Sequence, residues 1–121
     1  IDTNADGAQD VHVADLDNDG DMDIVSASAT DNTIAWYEND GAADPSWSAS
    51  DIATSVSGAR SVFAADIDGD GDLDVISASY ADNTIAWYET SAAIPEFSNI
   101  LMPVISVLAV VGLNYRRRNI Q

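Results

Sequence analysis

One stretch of this chain is written twice. Ala14 to Asn39 and Ala65 to Thr90 agree at 18 of 26 positions when offset by 51 residues. The offset extends upstream, where Val11–Asp15 (VHVAD) aligns with Val62–Asp66 (VFAAD), Gly7 and Ala8 with Gly58 and Ala59, and Ile1 with Ile52. A period of this size belongs to architectures in which each unit is too small to bury its own apolar face, so that neighbouring units must stack. The 121 residues therefore divide into residues 1–10 as the end of a preceding unit, 11–58 as one unit, 59–93 as the next, and 94–121 as a segment of different composition.

Within a unit the apolar pattern has the period of strands. VHVA is a first strand, the acidic stretch after it a loop, and DIVSAS (Asp23–Ser28) a second strand. TDN turns the chain into the β-rich TIAWYE (Thr33–Glu38), NDG (Asn39–Gly41) supplies hairpin chemistry, and SASDIAT (Ser48–Thr54) is a fourth strand. Four short antiparallel strands make one propeller blade. The expected fold is all-β: two four-stranded antiparallel β-propeller blades, followed by a C-terminal transmembrane-type helix. The second unit runs from Glu89 into TSAAIPEF without a fourth strand, whereas Ile1–Thr3 aligns with one. The expectation is that Ile1–Thr3 completes a blade of another copy in a head-to-tail homo-oligomer, or that the chain is cut from a longer propeller.

The loops between first and second strands carry the chemistry. DLDNDGDMD (Asp15–Asp23) and DIDGDGDLD (Asp66–Asp74) place a carboxylate at every second position and together hold ten of the chain's 21 acidic residues. Like charges this close repel unless a cation sits among them. A hard ion such as Ca²⁺ takes six to eight oxygens, and alternate carboxylates with a glycine at the sharp turn can wrap it. The expected metal ligands are Asp15, Asp17, Asp19, Asp21 (through its carbonyl) and Asp23 in one loop, and Asp66, Asp68, Asp70, Asp72 and Asp74 in the other. This makes two Ca²⁺ sites. An EF-hand begins alike but needs a glutamate at position twelve and flanking helices; here Ser26 and Ser77 stand there, in strands. Magnesium, which keeps its waters, is the lesser alternative.

At these residues the chain resembles the FG-GAP-like, or VCBS, repeats of integrin-type β-propellers, most specifically in ADLDNDGDMDIV, ADIDGDGDLDVI and the two copies of DNTIAWYE. The resemblance covers Ile1 to Thr90. It implies calcium between the first and second strands of each blade and a non-catalytic role in adhesion or ligand binding, with a surface protein or glycan as partner. Family propellers have about seven blades, and this stretch has two.

The net charge of −17 argues against nucleic acid as a partner. Trp36 and Trp87, like Tyr37 and Tyr88, occupy equivalent strand positions, where blade packing is favoured over a sugar platform; Trp47 is unrepeated. His12 aligns with Phe63 and so reads as packing. No nucleophile and base stand at a recognisable spacing, and no phosphate loop occurs, so no enzyme is expected. Phe97–Tyr115 is a run of nineteen uncharged residues, roughly 28 Å as a helix and enough to cross a hydrocarbon core, with Arg116–Arg118 then on the cytoplasmic side. The order Pro95–Phe97 (PEF), apolar span and arginines resembles the archaeal PEF-CTERM sorting tail, which implies membrane attachment and an extracellular, cell-surface body. The functional expectation is a calcium-binding surface repeat protein; the alternative is a carbohydrate-binding accessory module of a larger extracellular enzyme.

Overall fold

The computed structural model describes residues 1–91 and the backbone of residues 116–120. Its strands are β1 (Ala8–Ala14), β2 (Asp23–Ser28), β3 (Thr33–Asn39), β4 (Trp47–Ala53), β5 (Ala59–Ala65), β6 (Asp74–Ser79), β7 (Thr84–Glu89) and β8 (Arg116–Ile120). They form two sheets in the orders β1-β2-β3-β4 and β5-β6-β7-β8, and every neighbouring pair is antiparallel.

The 51-residue offset is preserved in the hydrogen-bond register. Ile24 faces Tyr37 and Val25 faces Trp36 in the first sheet; Val75 faces Tyr88 and Ile76 faces Trp87 in the second. Even the irregularity repeats, between Ala8 and Asp10 in β1 and between Ala59 and Ser61 in β5. Such a bulge adds a residue on one strand and strengthens its twist. It also lets the first strand start three residues before the Val11 expected from alternation alone.

Each sheet lacks enough thickness to shelter side chains on its own, and the core forms where the two meet. Leu16, Val25, Ala27, Ile34 and Trp36 of the first repeat pack in one cluster with Val56, Ala59, Val62, Ala64, Val75, Ala86 and Tyr88. Trp36 is thus a packing residue, as the repeat position suggested. Burying a large aliphatic side chain of this kind contributes about 1.5–3 kcal/mol, so the intersheet contact supplies much of what holds the pair together.

Polar contacts fix the relative placement of the sheets. Asp10 Oδ2 accepts from the Ser61 hydroxyl (2.8 Å) and from Val62 N–H (3.0 Å). Asn32, held at a left-handed φ of 60°, accepts from Val56 N–H through its carbonyl (2.9 Å) and from Gly58 N–H through its side-chain oxygen (3.0 Å). The His12 and Phe63 rings meet at 4.3 Å between centroids.

Within the single chain Ile1–Thr3 forms no strand; Asp2 accepts from Asn4 N–H (2.8 Å) and from the Tyr37 hydroxyl (2.9 Å). Side-chain acceptors this near in sequence offer the backbone a local partner in place of a ladder. One expectation, that the second unit lacks a fourth strand, is corrected. The edge of β7, bare after Glu89, is paired by β8, with Glu89 opposite Arg116 and Ile85 opposite Ile120. An edge strand presents a row of open N–H and C=O groups that any nearby extended segment can pair with, and here the arginine segment does so. Among the described residues no helix is long and apolar enough to cross a membrane. The expected span, Phe97–Tyr115, and the PEF motif lie outside the described residues.

Candidate metal centres

Both acidic stretches are loops between the first two strands of a sheet, one joining β1 to β2 and the other β5 to β6. In the first, Asp15, Asp17 and Asp19 each bring a carboxylate oxygen within 4.8 Å of the others; in the second, Asp66, Asp68 and Asp70 do the same. Oxygens bound about 2.4 Å from one ion can lie at most about 4.8 Å apart, so each trio fits around a single centre. These clusters could hold a metal ion, and the donors are hard oxygens only.

The loops are wired alike. Asp19 N–H donates to Asp15 Oδ1 (3.1 Å) and Asp17 Oδ1 (3.2 Å), Gly20 N–H to Asp15 Oδ2 (3.0 Å), and Asp21 N–H to Asp19 Oδ1 (2.9 Å). Asp70 N–H likewise meets Asp66 Oδ1 (3.1 Å) and Asp68 Oδ1 (3.2 Å), Gly71 N–H meets Asp66 Oδ2 (3.0 Å), and Asp72 N–H meets Asp70 Oδ1 (2.9 Å). Gly20 and Gly71 take φ of 97° and 95°, a conformation an L side chain rarely adopts. The turn therefore requires glycine at that step.

Asp23 and Asp74 stand apart from the trios. Both are buried, and each spans the loop and the end of a neighbouring strand. Asp23 Oδ2 accepts from Leu16 N–H (3.1 Å) and Oδ1 from Asn39 N–H (2.9 Å). Asp74 accepts from Ile67 N–H (3.2 Å) and Thr90 N–H (3.0 Å) in the same way. Each ties the start of its loop to the end of the third strand. Asp21 and Asp72 are half-buried; Asp72 Oδ1 accepts from Asn18 Nδ2 (2.9 Å), which links the two loops.

The crowding shows in acidity. Burial, together with the charges of Asp23 and Asp19, pushes the Asp17 carboxyl up to about 7, against the opposing pull of the Asp19 N–H. Burial and its acidic neighbours raise Asp68 also. A carboxyl that resists ionising beside other carboxylates is one whose charge a bound cation would stabilise.

The family model of the FG-GAP-like repeat matches residues 15–77, just over half of the 121 residues. The chain belongs to the FG-GAP-like repeat family. The matched region starts at the first acidic loop, crosses the intersheet contact and ends within β6, so it takes in both candidate centres of this FG-GAP-like chain. Comparison with curated proteins and with solved structures finds no match.

Sequence reasoning missed three polar contacts: Asp10 with Ser61, Asn18 with Asp72, and Asn32 with the chain before β5. A signal for the first two was present. Asp10 aligns with Ser61 and Asn18 with Gly69, and these are places where otherwise matching repeats differ. Residues that bind across a boundary between repeats have reason to depart from the repeat.

Proposed function

We propose that this FG-GAP-like chain is a non-catalytic, calcium-binding repeat module of the cell surface that presents its loops to a surface protein or glycan. The observation that carries the reading is the duplicated acidic loop: two trios of carboxylates, each within the span of one ion, held by the same hydrogen bonds. Calcium suits this arrangement because it accepts many oxygen ligands in flexible geometry, whereas magnesium retains several waters and favours one or two carboxylates. Asp15, Asp17 and Asp19 would hold one ion and Asp66, Asp68 and Asp70 the other. The ion's contribution is to neutralise the loop and fix the first strand against the second; Asp23 and Asp74 carry that order to the third strand.

A surface location supports such a role, since extracellular calcium fills sites of modest affinity. The uncharged, mostly apolar run of residues 97–115 is the reason for placing the module there. Thermal unfolding in calcium, in magnesium and in chelator tests the reading. Calcium is expected to raise the midpoint well above the other two conditions, because a ligand bound only by the folded state adds stability as RT ln(1 + [L]/Kd). Equal midpoints in all three would overturn it.

A further inference from the structure

The sheet face that the second repeat leaves open is the counterpart of a face that is closed in the first. Ile34 is fully buried and its repeat partner Ile85 is 45% exposed; Leu16 is 1% exposed and Ile67 42%. The reverse holds on the opposite face. Val62 and Ala64 of β5 are 4% and 7% exposed, whereas their partners Val11 and Val13 of β1 are 61% and 54% exposed. Each repeat thus has a front face and a back face. The front of the first meets the back of the second, which leaves Phe63, Ile67 and Ile85 exposed on the front of the second and Val11 and Val13 exposed on the back of the first.

We propose that these two bare faces bind each other between copies of this chain, reproducing the contact already formed within it. The occupant is a second copy because both halves of the internal interface are present on one molecule, and each keeps apolar side chains exposed, Ile67 and Ile85 on one and Val11 and Val13 on the other. Bare apolar faces of this kind mark association sites, and a shallow groove between Phe63, Ile76, Ala78 and Ile85 lies on the second repeat's front. The polar fittings also carry over by the 51-residue offset. Asn83 has a φ of 55°, matching 60° at Asn32, so its carbonyl and carboxamide would receive Ala5 and Gly7 N–H of the second copy. Phe63 would meet His12, as in the internal pair.

The contact is face to face and does not involve pairing of edge strands. It is also heterologous, with unlike surfaces joined, so it closes into a ring or continues as a filament according to the rotation per step. About two to four copies would supply the four to eight blades that propellers typically have. A net charge of −17 per chain opposes association, and salt screens that repulsion.

The test uses the full chain in calcium and moderate salt, with mass measured by light scattering. The wild type is expected at a multiple of 12.8 kDa, and its assembly should weaken as salt is lowered. Ile85→Glu, at an exposed position on the front face, and Val13→Glu, at an exposed position on the back face, should each yield single chains with unchanged circular dichroism. Mixed together, these two variants retain one intact front and one intact back between them, so they should form a one-to-one dimer that grows no further. A wild type that stays a single chain would overturn the proposal. So would variants that assemble like the wild type, as they would if residues 92–115 covered the face or drove association, and so would a mixture that remains monomeric.

Discussion

Replacing Asp23 with alanine isolates the part of the first acidic loop that is independent of any ion. The carboxylate is buried, and its two oxygens satisfy Leu16 N–H and Asn39 N–H. Alanine leaves both donors without an acceptor, and a stranded buried donor costs about 1–3 kcal/mol. The sum is roughly 2–6 kcal/mol, reduced because one of the charges that raises Asp17 is removed. A loss of about 3 kcal/mol is expected. In urea, with a slope of about 1–3 kcal/mol per molar, the unfolding midpoint should fall by roughly 1–3 M with the slope unchanged. The experiment is run in chelator and repeated in calcium, beside Asp19→Asn, whose side chain is exposed. In chelator Asp19→Asn should cost less than about 0.5 kcal/mol, the usual range for a surface change. If Asp23→Ala were equally mild in chelator, the carboxylate would not be a brace and the reasoning would fail.

Three further outcomes follow from the same contacts. Asn18 holds a φ of 62° where the second repeat has Gly69, so Asn18→Gly should leave stability within about 1 kcal/mol, while Asn18→Ala should lose about 1–2 kcal/mol from its left-handed backbone; thermal melts of both separate backbone strain from loss of the Asp72 bond. Ile34→Ala, in the core, should cost about 2–5 kcal/mol, whereas Ile85→Ala, measured at a dilution where copies are separate, should cost under about 1 kcal/mol; equal losses would contradict the assignment of faces. Asp10 is held below the usual carboxylate range by Val62 N–H and then by the Ser61 hydroxyl. Its contribution is therefore full above about pH 4 and is lost as pH falls through the depressed folded value. Asp10→Ser should make the loss of stability on acidification shallower than in the wild type, as followed by denaturant midpoints at successive pH values.

The repeat was legible because it states one answer twice. Strand identity in TIAWYE, the turn after it and the glycine at Gly20 and Gly71 each agree between copies, and local pattern and global fold point the same way. The geometry of the acidic loops was legible in part. Alternation alone brings Asp15, Asp17 and Asp19 to one side, but the fate of Asp23 depends on Leu16 and Asn39, and Asn39 reaches it only after β2 and β3 have paired. The same holds for Asp2, which becomes a partner of Tyr37 because the folded sheet puts that hydroxyl within reach. Pairing of Arg116–Ile120 with β7 is likewise decided by an open edge far away in sequence, which no window around the arginines contains.

Titration calorimetry of the chelator-stripped chain with calcium, beside a variant carrying Asp66→Asn, Asp68→Asn and Asp70→Asn, addresses most directly whether each acidic loop is a cation site. Two ions per chain for the parent and one for the variant are expected. Absence of heat from the parent, or a stoichiometry that the triple substitution leaves untouched, would contradict it.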